Sequence, residues 1–237
     1  MKTDLRQTFR DSLDGLLHLF WPQTCSACGS ALVAGEDWLC WSCGLRLPRA
    51  DSHLDVEAPV ARRFWGRVEL EQVCCRWRMK GQGGVRNLLH RIKYQGQSET
   101  GRIAGRAYGE LLAAMPFSED WDALVPVPMS MSKQRKRAYN QAVCIAEGLA
   151  EALEKPIVMD LLERREEGKS QTQKNRFDRW EAVQSLYAAG SGLSKYEGTH
   201  LVLVDDVITT GATVEACASV LKRAGFRVSV IALATVD

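Results

Sequence analysis

The chain has 237 residues, of which 46% are hydrophobic and 25% are charged, which is typical of a globular protein with a sizeable core. This composition excludes collagen-like and strongly disordered chains. No apolar run approaches the roughly 18 residues of a membrane-spanning helix, and Asp4, Asp11 and Asp14 interrupt the start, where a signal peptide is apolar. The net charge of +2 does not by itself indicate nucleic-acid binding. We therefore expect a cytoplasmic protein.

The first predicted element is an amphipathic helix over residues 4–21, whose apolar side chains recur every three or four positions. It either docks on the rest of the protein or lies on a membrane surface. Its polar face carries at least as many acids as bases, which favours docking. The predicted domains are an N-terminal helix and cysteine module at 1–48, a linker at 49–68 and a main domain at 69–237.

Four of the eight cysteines form two CxxCG units, and they are Cys25, Cys28, Cys40 and Cys43. Two such turns can place four thiolates tetrahedrally around one ion, and this pattern in a cytosolic chain is typical of structural Zn²⁺. Iron–sulfur ligation and redox chemistry are the alternatives. A closed shell of four cysteines leaves no open position for a substrate. We therefore expect the module to contribute stability or partner contacts.

From residue 69 onward, strand patterns alternate with helix patterns. The spacing of strand, helix and strand near the end of the chain predicts a parallel βαβ unit. The hydrophilic segment 164–179 is predicted to be a long loop. The predicted strands are 69–79, 123–127, 157–158, 201–204 and 228–233, and the predicted helices are 85–94, 102–115, 139–153 and 213–223.

The most informative segment is the end of the 201–204 strand and the turn after it. Asp205 and Asp206 follow the strand, and a turn rich in threonine then begins a helix. Because N–H groups and the dipole at a helix N-terminus attract anions, the turn is predicted to bind a phosphate. The two carboxylates are predicted to contact the hydroxyl groups of a ribose. A simple helix cap would need only one such residue. The predicted phosphate ligands are Thr209, Thr210, Gly211, Ala212 and Thr213.

This segment, DDVITTGAT, resembles the fingerprint of the type I phosphoribosyltransferases. The paired CxxC units and the segments 89–94, 126–128 and 137–141 resemble a narrower group, the ComF family of competence-related proteins. The resemblance implies an α/β fold with the parallel sheet of type I phosphoribosyltransferases and a small N-terminal four-cysteine zinc module. It also implies binding of 5-phosphoribosyl 1-diphosphate with Mg²⁺. The family usually has Gly at the position of Ala138.

Two further segments are candidates for binding a diphosphate or DNA. The first places four cations just before a predicted helix, and a solvated charge run is its alternative. The second is the hydrophilic segment, where the resemblance implies a flexible lid over the reacting ribose. A solvated, non-catalytic loop is the alternative there. Tyr139 either stacks on a base or packs in the core, and the amides of Asn140 and Gln141 are candidates for hydrogen bonds to a base or nucleotide. The candidates are Lys133, Arg135, Lys136, Arg137, Arg164, Lys169 and Gln171.

Two functions from different classes fit these residues. The first is a phosphoribosyltransferase that transfers the phosphoribosyl group to an unidentified acceptor. The second is a non-catalytic or weakly catalytic protein of competence and DNA uptake. The resemblance implies that such a protein binds single-stranded DNA and an ATP-dependent helicase or translocase of the ComF-operon type. The acidic and threonine-rich segment favours the first function, and the cysteine module with the basic segment favours the second.

Overall fold

A four-stranded parallel sheet forms the centre of the computed structural model, which describes residues 23–94, 98–165 and 185–236. The strands of the described chain are β1 (Val73–Met79), β2 (Ala123–Pro126), β3 (Leu162–Arg164), β4 (Tyr187–Ala189), β5 (His200–Ile208) and β6 (Arg227–Val236). The order in the sheet is β1-β6-β5-β2, and all of its pairs are parallel. Strands β3 and β4 form a separate antiparallel pair. The predicted parallel α/β fold is therefore confirmed.

Helices cover both faces of this sheet. They are α1 (Trp41–Arg46), α2 (Pro59–Arg62), α3 (Gly84–Tyr94), α4 (Ser98–Ala113), α5 (Met131–Arg137), α6 (Gln141–Leu153) and α7 (Ala212–Arg223). None of these described helices combines the length and the apolar character that crossing a membrane requires.

The side chains of β5 show that the central sheet is packed on both of its faces. Leu201 and Leu203 pack in a core cluster with α7, whereas Val202 and Val204 pack in a second cluster with α3, α4 and α6. All four are fully buried. Successive side chains of a strand point to opposite faces of a sheet, so a strand buried on both faces is apolar without alternation. The run of four aliphatic residues therefore predicted a central strand correctly.

The segment that the sequence indicated only as a charged stretch forms helix α5. The Ser130 hydroxyl accepts a hydrogen bond from the N–H of Lys133 at 3.4 Å and so caps the start of the helix. Ala138 ends it in the left-handed conformation, with φ of 68°. The basic residues are therefore arranged on helical turns.

The segment predicted as a linker, 49–68, packs on the domain. It contains α2 and a short 3₁₀ helix at Ser52–Leu54. Val60, Ala61 and Phe64 are buried in the same cluster as α7. The chain between the cysteine module and β1 is therefore part of the core. The predicted helix at 4–21 lies outside the described residues.

The cysteine module also contacts the domain directly. The Asn87 side-chain amide of α3 donates to the carbonyl of Ala27 at 2.9 Å. The rings of Trp38 and Trp77 meet edge to face, with centroids 5.9 Å apart. A Cβ on Gly84 would lie 2.6 Å from Leu47 Cδ2, so the module and α3 approach closely at a residue without a side chain.

Candidate functional site

A pocket of about 200 Å³ lies where β2 and β5 end. In open parallel sheets, ligands bind at the carboxyl ends of the strands, because the loops there converge around one crevice. The polar groups that line it include four cations, two carboxylates and two threonines. They are Lys93, Lys133, Arg137, Arg164, Asp205, Asp206, Thr209 and Thr213. This combination suits an anionic ligand that also carries hydroxyl groups.

The two carboxylates at the end of β5 differ in their surroundings. Asp206 Oδ2 lies 2.7 Å from Lys93 Nζ, and its backbone N–H donates to Asp205 Oδ1 at 2.8 Å. Burial, together with the neighbouring charge of Asp206, raises the pKa of Asp205 to about 7. Near neutral pH, Asp205 is therefore poised between its neutral and charged forms. A ligand that offers hydroxyl donors or a cation would favour the carboxylate.

The phosphate loop, residues Thr209–Thr213, joins β5 to α7. Gly211 has φ of +82°, a conformation that glycine adopts without steric cost. Its carbonyl accepts a hydrogen bond from the N–H of Glu215 at 2.8 Å as the helix begins. Thr209 and Thr213 line the pocket, and the side chain of Thr210 bonds the N–H of Ala212 at 3.4 Å. The loop therefore brings the N-terminus of α7 to the pocket, where its free N–H groups can meet an anion.

The structure divides the basic segment into two pairs. Lys133 and Arg137 lie one helical turn apart on α5 and line the pocket. Arg135 and Lys136 are exposed on the same helix and are not among the lining residues. The segment predicted as one cationic group therefore presents one pair to the pocket and another to solvent.

Arg137 is held by its neighbours. Its guanidinium donates to Gln141 Oε1 at 2.8 Å and to Tyr94 Oη at 3.2 Å, and it lies 5.0 Å from the centre of the Tyr94 ring. The hydrogen bond from Arg137 and its charge lower the pKa of Tyr94. These contacts fix the guanidinium at the mouth of the pocket.

Arg164 is the other predicted cation at the pocket. It donates from Nη1 to Tyr187 Oη at 2.7 Å, so the β3–β4 pair contributes both residues. Burial raises the pKa of Tyr187 to about 12, which keeps the phenol protonated at neutral pH. Lys169 and Gln171, the remaining candidates of the predicted lid, lie outside the described residues.

The start of α6 has a structural role that the sequence left open. Tyr139 Oη donates to the carbonyl of Ile92 at 2.5 Å, which joins the start of α6 to the end of α3. Asn140 Oδ1 caps α6 by accepting from Ala142 N–H at 3.1 Å, while its Nδ2 donates to Val127 O at 3.0 Å. The hydrogen bond of Tyr139 to Ile92 favours packing rather than base stacking for this residue.

Sequence reasoning missed Lys93 and Tyr187 as pocket residues. Asn140 and Gln141, whose amides were predicted to hydrogen-bond a base or nucleotide from the start of a helix, do line the pocket. Lys93 and Tyr187 had no such signal, because α3 and β4 meet β5 only through the tertiary fold.

The four cysteines of the CxxCG units converge. The sulfur atoms of Cys25, Cys28, Cys40 and Cys43 all lie within 4.8 Å of one another. The Sγ atoms of Cys28 and Cys40 are 3.8 Å apart, which matches the distance of about 3.8 Å between ligands of a tetrahedral site with metal–sulfur bonds of about 2.3 Å. The cluster can therefore hold one metal ion, as the spacing predicted.

The thiols of this cluster differ in acidity. A hydrogen bond with the Ser30 side chain lowers the pKa of Cys28 to about 6. Burial and the neighbouring thiols raise the pKa of Cys43. Neighbouring thiolates repel one another, so ionising all four thiols costs free energy. A bound cation would offset that repulsion.

Comparisons with known proteins agree with this geometry. Residues 139–237 match the family model of the phosphoribosyl transferase domain. Competence protein ComFC of Bacillus subtilis is 24% identical over 218 residues, which cover 84% of this chain and 84% of that protein. Competence protein F of Haemophilus influenzae is 28% identical over 104 residues, which cover 44% of this chain and 45% of that protein. ComFC of Streptococcus pneumoniae is 35% identical over 43% of this chain and 42% of its own length.

Two solved structures are similar to parts of this chain. Adenine phosphoribosyltransferase from Leishmania tarentolae has a TM-score of 0.39 and 13% identity, over 76% of this chain and 89% of that one. Glutamine phosphoribosylpyrophosphate amidotransferase from B. subtilis has a TM-score of 0.40 and 22% identity, over 60% of this chain and 30% of that one.

The relatives and the family model together cover both parts of the chain. The alignment with B. subtilis ComFC extends over most of its length, and the domain model falls on the part that contains the phosphate loop. Residues 139–237 therefore match a phosphoribosyl transferase domain, and the chain is similar over most of its length to competence protein ComFC of B. subtilis.

Proposed function

We propose that the pocket binds 5-phosphoribosyl 1-diphosphate with Mg²⁺ and that the protein transfers the phosphoribosyl group to an acceptor. The observation that carries this proposal is the joint placement of Asp205, Asp206 and the phosphate loop beside four cations in one pocket. A phosphate site next to two carboxylates fits a phosphorylated ribose. A separate set of cations fits the diphosphate of the same ligand.

The residues divide between the parts of this ligand. Thr209 and Thr213, with the N–H groups of the loop, bind the 5-phosphate at the N-terminus of α7. Asp205 and Asp206 accept hydrogen bonds from the ribose hydroxyls. Charge-assisted hydrogen bonds to the diphosphate come from Lys133, Arg137 and Arg164.

The transfer replaces one bond at the ribose C1. An acceptor nitrogen attacks C1 while the bond from C1 to the diphosphate oxygen breaks. The diphosphate leaves with the electron pair, and the nitrogen releases its proton to solvent. Bound Mg²⁺ supplies charge neutralisation for the diphosphate. The cations of the pocket stabilise the charge that develops on the leaving group.

Calorimetric titration with 5-phosphoribosyl 1-diphosphate and Mg²⁺ tests this proposal. We expect saturable binding that the double substitution Asp205→Asn with Asp206→Asn abolishes. Glu110→Gln is the control, because Glu110 is a surface carboxylate paired with Arg106 on the exposed face of α4. Equal affinity of the parent and the double variant would contradict the assigned role of the acids. Release of diphosphate on addition of nitrogen nucleophiles then tests catalysis.

The exposed pair on α5 supports a second candidate function, that of a competence protein that binds single-stranded DNA. Arg135 and Lys136 are exposed and do not line the pocket, and the named relatives are competence proteins. Each phosphate neutralised on a single strand contributes about 0.7 to the slope of log affinity against log salt, so four cations predict a magnitude of roughly 3.

The structure allows the two functions to be separated. Arg135→Ala with Lys136→Ala should halve the salt slope for single-stranded DNA and leave binding of the diphosphate ligand unchanged. Lys133→Ala with Arg137→Ala should weaken the binding of both single-stranded DNA and the diphosphate ligand. A salt slope that survives all four substitutions would place the DNA surface elsewhere.

We also propose Zn²⁺ as the ion of the four-cysteine cluster, because four thiolates in a tetrahedral arrangement are its typical structural ligands. The closed shell makes this site structural, and elemental analysis should find one zinc per chain. Protein purified without chelators that contains no zinc would contradict the assignment.

A further inference from the structure

The residues just after α2 contact the phosphate loop without lining the pocket. We call Arg63, Phe64 and Arg67 the rear clamp. This inference rests on the proposed function, since it concerns the affinity of the same anion site.

The rear clamp touches three successive residues of the loop. Arg63 Nη1 donates to Thr209 O at 2.7 Å, and Arg67 Nη1 lies 3.5 Å from Thr210 O. The buried ring of Phe64 packs against Gly211, where an added Cβ would lie 2.9 Å from the ring.

These contacts orient the loop. A trans peptide unit is planar, so its C=O and the N–H that follows point in opposite directions. Because the carbonyls of Thr209 and Thr210 point to the clamp, the N–H groups of Thr210 and Gly211 point away from it. Arg63 also donates to the carbonyl of Val236 on β6, which ties the loop to the sheet.

Arg67 has a second partner that bears on charge. Its guanidinium forms an ion pair with Glu215, which lies in the first turn of α7 and whose side chain is only 3% exposed. A carboxylate in this turn competes with a bound anion for the positive end of the helix dipole. The guanidinium of Arg67 offsets that negative charge.

We infer that Arg67 is a positioning residue of the phosphate site and that it acts by compensating Glu215 and by holding the Thr210 carbonyl. The segment 63–67 thus prepares the loop for an anion before any ligand arrives. Phosphate affinity depends on a residue that does not touch phosphate.

Titration with ribose 5-phosphate, and separately with inorganic phosphate, tests the inference. Arg67→Met should raise Kd about tenfold, because it leaves the charge of Glu215 uncompensated near the anion. Arg67→Met with Glu215→Gln should return Kd to within about threefold of the parent, since the repelling charge is gone. Glu215→Gln alone should tighten binding about threefold, because Arg67 keeps its charge.

Arg62→Met is the matched control. Arg62 lies on the same segment, but it pairs with Glu57 at the surface. The Arg62→Met variant should bind ribose 5-phosphate with the Kd of the parent. Thermal unfolding should show that each variant is folded.

The outcomes separate the inference from the proposed function. Parent protein that binds neither ribose 5-phosphate nor phosphate overturns both. Parent protein that binds, with a folded Arg67→Met variant of equal Kd, overturns the inference alone. A double variant as weak as Arg67→Met also overturns it, since a role in packing alone would not be rescued by Glu215→Gln. If Arg67→Met does not fold, Glu215→Gln is compared with the parent instead. Equal Kd values of these two proteins for ribose 5-phosphate would overturn the inference.

Discussion

Asp205 shows how one residue combines a sequence motif with a property that depends on its surroundings. An acid at the end of a buried strand is visible in the sequence. Its raised pKa is not, because that shift comes from burial and from the charge of Asp206. Lys93, four residues beyond Leu89 on α3, forms its ion pair with Asp206, and its charge only partly offsets the raised pKa of Asp205. The two adjacent acids therefore have different surroundings.

The raised pKa of Asp205 predicts a pH-dependent stability. Because the folded-state pKa of about 7 exceeds the ordinary value of 3.8, the folded state holds the proton more tightly and the parent loses stability as the pH rises from about 4 to 7. Asn cannot ionise. We expect Asp205→Asn to be more stable than the parent at pH 8 by roughly 1 to 3 kcal/mol, with the gain vanishing toward pH 4.

Urea unfolding at a series of pH values measures this difference. Glu110→Gln is again the control, because it makes the same acid-to-amide change on the exposed face of α4. A gain for Asp205→Asn that is equal at pH 5 and pH 8 would contradict the link to the ionisation of Asp205.

At the scale of elements, α5 is the clearest case of a helix that the sequence pattern did not predict, because its residues are mostly charged. Four cations in five residues carry no apolar periodicity, so the pattern indicated a charged run and not a helix. The helix depends on a cap at Ser130 and on a turn at Ala138. The positive φ at this position explains why a family resemblance pointed to Gly there.

Ala138→Gly should stabilise the protein. The left-handed conformation costs a residue with a Cβ about 1 to 2 kcal/mol, and part of the gain is offset by the greater freedom of Gly in the unfolded chain. We expect a net increase in the free energy of unfolding of about 0.5 to 1 kcal/mol by urea titration.

Ala150→Gly is the matched control for that variant. It makes the same chemical change inside α6, where φ is helical, and should destabilise the protein by about 1 kcal/mol. If Ala138→Gly lost stability to the same extent, the left-handed strain would not be the cause.

At the scale of the whole molecule, the cysteine module and the main domain share one core cluster. Cys25, Ala27 and Leu47 are buried together with Trp77 of β1 and Leu88 of α3. A metal ion held by the four cysteines would therefore also support the packing of β1 and α3.

Loss of the metal should lower the stability of the whole protein. We expect a chelator to lower the midpoint of a single cooperative transition, because release of the module exposes apolar side chains worth about 3 kcal/mol. Cys40→Ser should show the lowered midpoint without a chelator, and the chelator should then have no further effect. A metal-free protein with an unchanged transition would show that the module and the domain are energetically separate.

The sequence by itself determined the parallel α/β class and the convergence of the four cysteines, and it predicted the turn 209–213 as a phosphate site. Each depends on residues close together in the chain, such as Asp205 and Thr209, so spacing and residue type were sufficient. The tertiary structure alone decided which distant residues complete the site. Lys93, Tyr187 and the rear clamp lie on other elements, and the parallel sheet brings them to the end of β5. It also decided that 49–68 is packed, because Phe64 is buried in a cluster that contains residues of α7 and β6, which are distant in the chain.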